Sequence, residues 1–161
     1  MLDSPARIRY PVGEGGEGMR IIPFEAKYRD DMIFMVLSAK DALGRVPRLN
    51  EDLLDIPGAY LLRGGGFWLA LDDADRVIGC IGYLSEAGST EVTLHRLYVK
   101  PARKRQGIGS ALLHTAETAI RNAGKTAVRV HLGGAEYWES RLFYPKHGYV
   151  FIDPDDVGKV L

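Results

Sequence analysis

Apolar positions along the chain change their spacing repeatedly, and each change marks an element. "MRIIPFE" (19–25) reads as a first strand. From Lys27 onward Tyr28, Met32, Met35, Val36, Ala39 and Leu43 recur at helical spacing, and Gly44 suits a C-terminal cap. "NEDLLDI" predicts a second, shorter helix with Asn50 as its N-cap and Pro57-Gly58 beyond its end. "GFWLALDDADRVIGCIGYLS" has the form of a hairpin, with two apolar strands around an acidic turn. "EVTLHRLYV" extends it to a third strand, ended by Pro101. Ile108, Ala111, Leu112, Thr115, Ala119 and Ile120 then place one face of a long helix on the sheet, and Gly124 closes it. "AVRVHL" alternates with period two and is a strand. "AEYWESRLFY" is a short helix that Pro145 should end within a turn, because an interior proline costs about 3 kcal/mol. "GYVFID" and "GKVL" finish the sheet.

The order β-α-α-β-β-β-α-β-α-β describes an α/β chain with a mixed sheet and helices on both of its faces. Residues 1–18, which include "PVGEGGEG", lack sustained periodicity and are expected to form a flexible N-terminal extension to a domain over 19–161. With 161 residues, 46% hydrophobic and 26% charged, the chain suits one globular core. Lys+Arg and Asp+Glu both number 21, so any electrostatic recognition must come from local clustering. The one cysteine, Cys80, excludes an internal disulfide framework and a Cys-based zinc site; within "VIGCIGYL" it reads as a buried, inert thiol. His114, His131 and His147 show no metal spacing, so no metal is expected. No apolar run approaches the roughly 18 residues of a membrane span and no signal peptide opens the chain. A cytoplasmic protein with no membrane partner is the expectation.

Candidate chemistry concentrates in "VKPARKRQGIGSALL" (99–113). Here a strand stops at a proline, turns through Gly107 and Gly109, and becomes a helix. The first amides of a helix lack internal acceptors and carry its positive dipole end, which suits an anion, phosphate above all. Gly107 and Gly109 let a ligand approach the backbone closely. Between Val92 and Ala116 there is no Asp or Glu, whereas Arg96, Lys100, Arg103, Lys104 and Arg105 all fall there. The phosphate motif G-x-x-x-x-G-K-[ST] is absent, and G-x-G-x-x-G fails because Leu112 stands where its last glycine belongs. Read as charge alone, the cluster is a solvated stripe or a nucleic-acid patch with Tyr98 as a stacking residue. Its strand–proline–glycine–helix setting favours a specific phosphate site, and no nucleic-acid partner is expected.

With "LHRLYVKPARKRQGIGSALL" (94–113) and "FYPKHGYV" (143–150), the chain resembles the GNAT superfamily of N-acetyltransferases. The likeness extends more loosely from about Met19 to the C-terminus. The superfamily signature [QR]-x-x-G-x-[GA] follows a strand of the form L-x-V-x-P. Gly107 and Gly109 match it, and Lys104 stands where Gln or Arg is usual. The resemblance implies a mixed, mostly antiparallel sheet with a splayed parallel strand pair and helices on both faces. It implies acetyl-coenzyme A as cosubstrate, its pyrophosphate on the loop formed by Lys104, Arg105, Gln106, Gly107, Ile108, Gly109 and Ser110. The backbone of Leu97, Tyr98 and Val99 would pair with the pantetheine arm. The implied function is acetyl transfer to a primary amine, by direct attack in a ternary complex, on a small-molecule or protein acceptor. The alternative is a noncatalytic coenzyme A-binding or protein-interaction module on the same fold. A homodimer, through paired sheets or C-terminal strand exchange, is compatible with either.

Acetyl transfer needs a neutral amine, a donor for the carbonyl oxygen as it gathers charge, and a proton for the departing thiolate. Tyr144 matches the tyrosine that reaches the coenzyme A sulfur in many relatives; the competing reading is that it only packs beside Phe143. Glu91 and His95 share parity on the strand leading into the splay, so both are candidate bases, against a water chain that would need neither. Many relatives carry Asn seven positions before the tyrosine; Tyr137 stands there instead. Tyr137 and Trp138 are therefore candidates for lining the acceptor pocket, with core packing as the alternative for Trp138.

Overall fold

A computed structural model of the chain describes residues 8–10 and 18–161. Among the described residues, eight strands form one sheet: β1 (Ile8–Tyr10), β2 (Met19–Pro23), β3 (Gly66–Asp72), β4 (Val77–Ser85), β5 (Glu91–Val99), β6 (Ala127–His131), β7 (Val150–Asp153) and β8 (Asp156–Val160). Their spatial order is β1-β2-β3-β4-β5-β6-β8-β7. Neighbours run antiparallel except β5 and β6, which pair in parallel only from Glu91–Ala127 to Thr93–Arg129. Beyond Thr93 the two strands part. The splayed pair implied by the family likeness is therefore present.

Helices cover both faces, as the order of elements predicts. On one face α1 (Arg29–Ala42) buries Met32, Met35 and Val36 against Leu69, Leu71 and Cys80. On the other, α3 (Ile108–Asn122) buries Ile108, Leu112, Ala116 and Ile120 against Ile78, Val92 and Val128. Gly79 sets how closely α3 approaches: a β-carbon there would stand 2.9 Å from Leu112 and 3.1 Å from Ile108. The start of α3 is thus seated directly on β4. At the other end, Glu117 of α3 accepts hydrogen bonds from Tyr149 Oη at 3.1 Å and Lys159 Nζ at 3.0 Å, fastening the C-terminal strands to the same helix.

Two details depart from the sequence reading. Ile8–Tyr10, inside the stretch expected to be an extension, pairs with β2; residues 1–7 and 11–17 of that stretch lie outside the described residues. "NEDLLDI" is not one helix: Glu51–Leu54 makes a 3-10 turn, and Pro57 and Gly58 lie inside a separate short helix, α2 (Ile56–Ala59). The reason is local. Pro57 sits in the first turn, where its missing N–H is no loss, and the Asp55 side chain accepts the Gly58 amide at 3.0 Å. Asn50 holds the expected N-cap position of the 3-10 turn, but its side-chain oxygen accepts from Lys40 Nζ instead of a turn amide. As expected, the last helix, α4 (Trp138–Lys146), ends within a turn of Pro145, one residue beyond it.

Candidate functional site

The site begins with a fault in the β4–β5 ladder. Cys80 faces Tyr98 and Gly82 faces His95, so Arg96 and Leu97 together stand opposite Ile81 in a β-bulge. Arg96 takes a left-handed backbone, φ 58°, which costs a non-glycine residue about 1–2 kcal/mol. The bulge reverses the parity of the strand. Val92 and Leu94 point into the α3 core before it, Leu97 and Val99 do so after it, and Tyr98 packs on the α1 face. Arg96 is gripped from the α1–α2 connection, its Nε and Nη2 donating to the two carboxylate oxygens of Asp52 at 3.0 Å each. Burial alone would raise the Asp52 carboxyl, but hydrogen bonds from Arg96 and Tyr60 outweigh it and hold it below the ordinary carboxylate range. The Cys80 thiol donates to the Arg96 carbonyl at 3.1 Å; it is fully buried, and burial pushes it up to about 12, in keeping with the buried thiol expected from the sequence.

Beyond β5 the chain turns into α3 through a concave run of amides. Arg105 (φ 63°) and Gly107 (φ 79°) are both left-handed, and Gly107 is the N-cap with no side-chain acceptor on the helix. The first intrahelical bond runs from the Ala111 amide to Gly107 O at 3.0 Å, so the amides of 108–110 precede the helical ladder. Successive amides in such a turn make an anion-binding nest. They open onto a cleft of about 570 Å³ between this loop and α4, lined by Leu97, Tyr98 and Val99 on one side and by Phe143, Lys146 and His147 on the other. Lys104, Arg105, Gly107, Ile108, Gly109 and Ser110 also line it. Gln106 does not: its Oε1 accepts from Arg103 Nε at 2.8 Å. Ser110 Oγ lies 3.1 Å from His147 Nε2.

The positive field that the sequence suggests is tempered by carboxylates from distant parts of the chain. Arg103 lies 3.9 Å from Asp72, Lys104 lies 3.2 Å from Glu139, and Arg96 faces Asp52. Lys104, at the signature position usually held by Gln or Arg, is thus tied to the opposite wall of the cleft.

The gap between β5 and β6 holds a second cavity, of about 270 Å³, which shares Leu97, Tyr98, Tyr137 and Ser140 with the first. His95, Arg96, His131 and Tyr144 line it as well. Tyr144 is 4% exposed, packed edge-on against Phe143 and Tyr149, and among the described residues no hydrogen bond holds its hydroxyl. Burial pushes its phenol above its ordinary value, so it remains protonated at neutral pH. His95 is half-buried, with its ring 6.3 Å from that of Tyr60. Burial, reinforced by the Arg96 cation, lowers its imidazole below the usual value, and Asp52 opposes the shift. The structure brings Tyr144 and His95 to one cavity and leaves Glu91 apart: Glu91 is exposed at the paired end of β5 and lines neither cavity.

Tyr137 and Trp138 start α4 beside the cleft. Trp138 is 53% exposed, so it is not core, and it lines the larger cavity rather than the gap. Tyr137 lines both and accepts from Arg45 Nη1 at 2.7 Å. Arg45 also pairs with Glu136 at 3.2 Å, which ties the segment after α1 across the site. Asp52, Tyr60, Arg45, Glu139 and His147 are the site residues that sequence reasoning does not reach. One sign of the bulge was present. In "EVTLHRLYV" the apolar positions switch from even (Val92, Leu94) to odd (Leu97, Val99), as an inserted residue requires.

Comparison with known proteins gives one family. Residues 63–151 match the model described as acetyltransferase (GNAT) domain, which spans the hairpin, the bulge, the glycine turn and α4. N-acetyltransferase 8 of Rattus norvegicus is 32% identical over 114 residues, 65% of this chain and 51% of that protein. The chain therefore spans about half the length of the curated relatives it matches. Among solved structures, a GNAT-family acetyltransferase from Staphylococcus aureus superposes with a TM-score of 0.79 at 20% identity, covering 89% of this chain and 99% of that one. A GNAT-family acetyltransferase from Brucella melitensis, solved in complex with acetyl-CoA, gives 0.67 at 19% identity, over 91% of this chain and 90% of that one.

Proposed function

Because this chain belongs to the GNAT acetyltransferase family, we propose that it transfers the acetyl group of acetyl-coenzyme A to a primary amine, small or protein-borne, by direct attack in a ternary complex. The observation that carries the reading is continuity: a nest of uncapped amides at Gly107 opens into a cleft that leads, past Leu97 and Tyr98, into a gap beside Tyr144. The bound cosubstrate supplies an activated acyl group and a thiolate leaving group.

The chain's own residues supply the rest. The amides of 108–110 and the cations Lys104 and Arg105 suit a diphosphate, and Gly109 leaves the floor open, since a β-carbon there would come no closer than 3.6 Å to the side chains packed around it. β6 pairs with β5 only as far as Thr93, so the β6-facing edge of Leu97–Val99 is available for main-chain pairing with the pantetheine amides. Tyr144, held protonated, donates toward the departing sulfur. His95, held neutral at pH 7, takes the amine proton directly or through water.

The His95 assignment carries a pH signature. Its lowered value means that kcat/KM falls on the acid side with an apparent midpoint under 6.5, as the base form is lost. That limb should vanish in His95→Gln; its survival there would assign deprotonation elsewhere. The same shift makes the unfolded chain the better proton acceptor. Stability should therefore drop as pH falls from 6.5 toward the lower folded value.

The reading is tested with a panel of amino acids, polyamines, arylalkylamines and peptide N-termini, following free thiol release and identifying acetylated product by mass spectrometry. Turnover with one class is the expected result. Coenzyme binding with no turnover across the panel would leave a noncatalytic coenzyme-binding module.

A further inference from the structure

We propose that Asp52 and Arg96 form a positioning pair that locks the β5 bulge from the α1–α2 side, fixing the backbone edge of Leu97–Val99 before any ligand arrives. The proposal rests on the coenzyme reading above for its purpose, and on geometry for its existence.

Arg96 is a left-handed, non-glycine residue in the middle of a strand, where glycine would adopt the same backbone without strain. What arginine adds is its side chain, and that side chain is committed. Both of its bonds, 3.0 Å each, run to one carboxylate in the two-point geometry that resists rotation. The anchor is itself held. Asp52 sits beside Leu53, which is 1% exposed, and accepts a further bond at 2.5 Å from the hydroxyl of Tyr60, a residue likewise 1% exposed. Among the described residues, the Asp52–Arg96 bonds are the hydrogen bonds that join segment 51–60 to β5. The residues immediately downstream are the ones that matter: Leu97 and Tyr98 line both cavities and Val99 lines the larger. Any loosening at Arg96 is delivered directly to the strand edge that faces the gap. Arg96 touches the gap without reaching the loop at Gly107, so its effect should fall on the pantetheine half of the coenzyme and spare the nucleotide half.

The test uses Arg96→Gly, which removes the clamp while relieving the backbone, and Asp52→Asn, which removes the acceptor charge from the other side. In the ligand-free chain, amide exchange at 97–99 should quicken about tenfold in both variants, with the amides of Leu112 and Ala116 in α3 unchanged. By calorimetry, coenzyme A affinity should fall about tenfold while that of adenosine 3′,5′-diphosphate stays within about twofold. The double variant should be no worse than Arg96→Gly alone. A general loss of stability would not separate the two ligands. Unchanged exchange at 97–99, or equal weakening of both ligands, would overturn the proposal. If the unaltered chain bound neither ligand, the coenzyme reading would fail instead, and the exchange rates would still decide whether the pair locks the bulge.

Discussion

Gly109→Ala is expected to leave the folded chain at least as stable as it is and to weaken coenzyme A binding by roughly tenfold or more. Two facts set these opposite signs. Gly109 has ordinary helical backbone near the start of α3, and the nearest atoms a β-carbon there would meet across the packing, those of Phe143 and Val99, stand at 3.6–3.7 Å, a normal contact distance. Alanine is the better helix former by about 1 kcal/mol, so the protein itself has no objection to it. The methyl would, however, project into the cleft where the proposed function puts the diphosphate, against the amides of 108–110. Gly107→Ala provides the contrast: nothing crowds its β-carbon, but its φ of 79° costs alanine about 1–2 kcal/mol, so it should lose stability and binding together. Calorimetry with coenzyme A, paired with thermal melting, separates the two. Unimpaired binding by a folded Gly109→Ala chain would remove the diphosphate from this loop.

Tyr144→Phe should lower kcat by roughly a hundredfold or more while leaving coenzyme A affinity and melting temperature essentially unchanged. The prediction is sharp because, among the described residues, the hydroxyl has no hydrogen-bond partner to lose. It lies at the end of a ring packed between Phe143 and Tyr149, so deleting it disturbs neither packing nor hydrogen bonding. What it removes is a proton held near the gap by a phenol that burial keeps protonated throughout the physiological range. Steady-state kinetics on the amine identified by the panel, with coenzyme binding as the control, is the measurement. An unaltered kcat would reduce Tyr144 to a packing residue, leaving proton delivery to water or to the half-buried His95.

The parts of this site that follow from short stretches of chain were legible in the sequence. The turn at Gly107 and the helix it starts are set by neighbours within a few positions, and period and glycine placement report them, whereas Tyr144 enters only through the family likeness. The long-range parts were not. Asp52 and Arg96 are 44 residues apart, and no local pattern joins them. Arg103 and Lys104 read as uncompensated because Asp72 and Glu139 reach them only through the fold. Glu91 looked equivalent to His95 by strand parity, but parity gives direction and not depth, and only His95 lies at the end where the strands part. Pro57 and Gly58 read as a helix stop because the side chain of Asp55, which starts a new turn around them, competes with that signal.

The thiol at Cys80 bears on how the chemistry can be followed. It is the sole sulfhydryl in the 161-residue sequence, it is 0% exposed, and it is pushed up to about 12. A disulfide dye that scores liberated coenzyme therefore meets no competing signal from the native catalyst, however much of it is added. Colour arising from the protein would instead count molecules whose sheet has opened, so one reagent reports both turnover and denaturation.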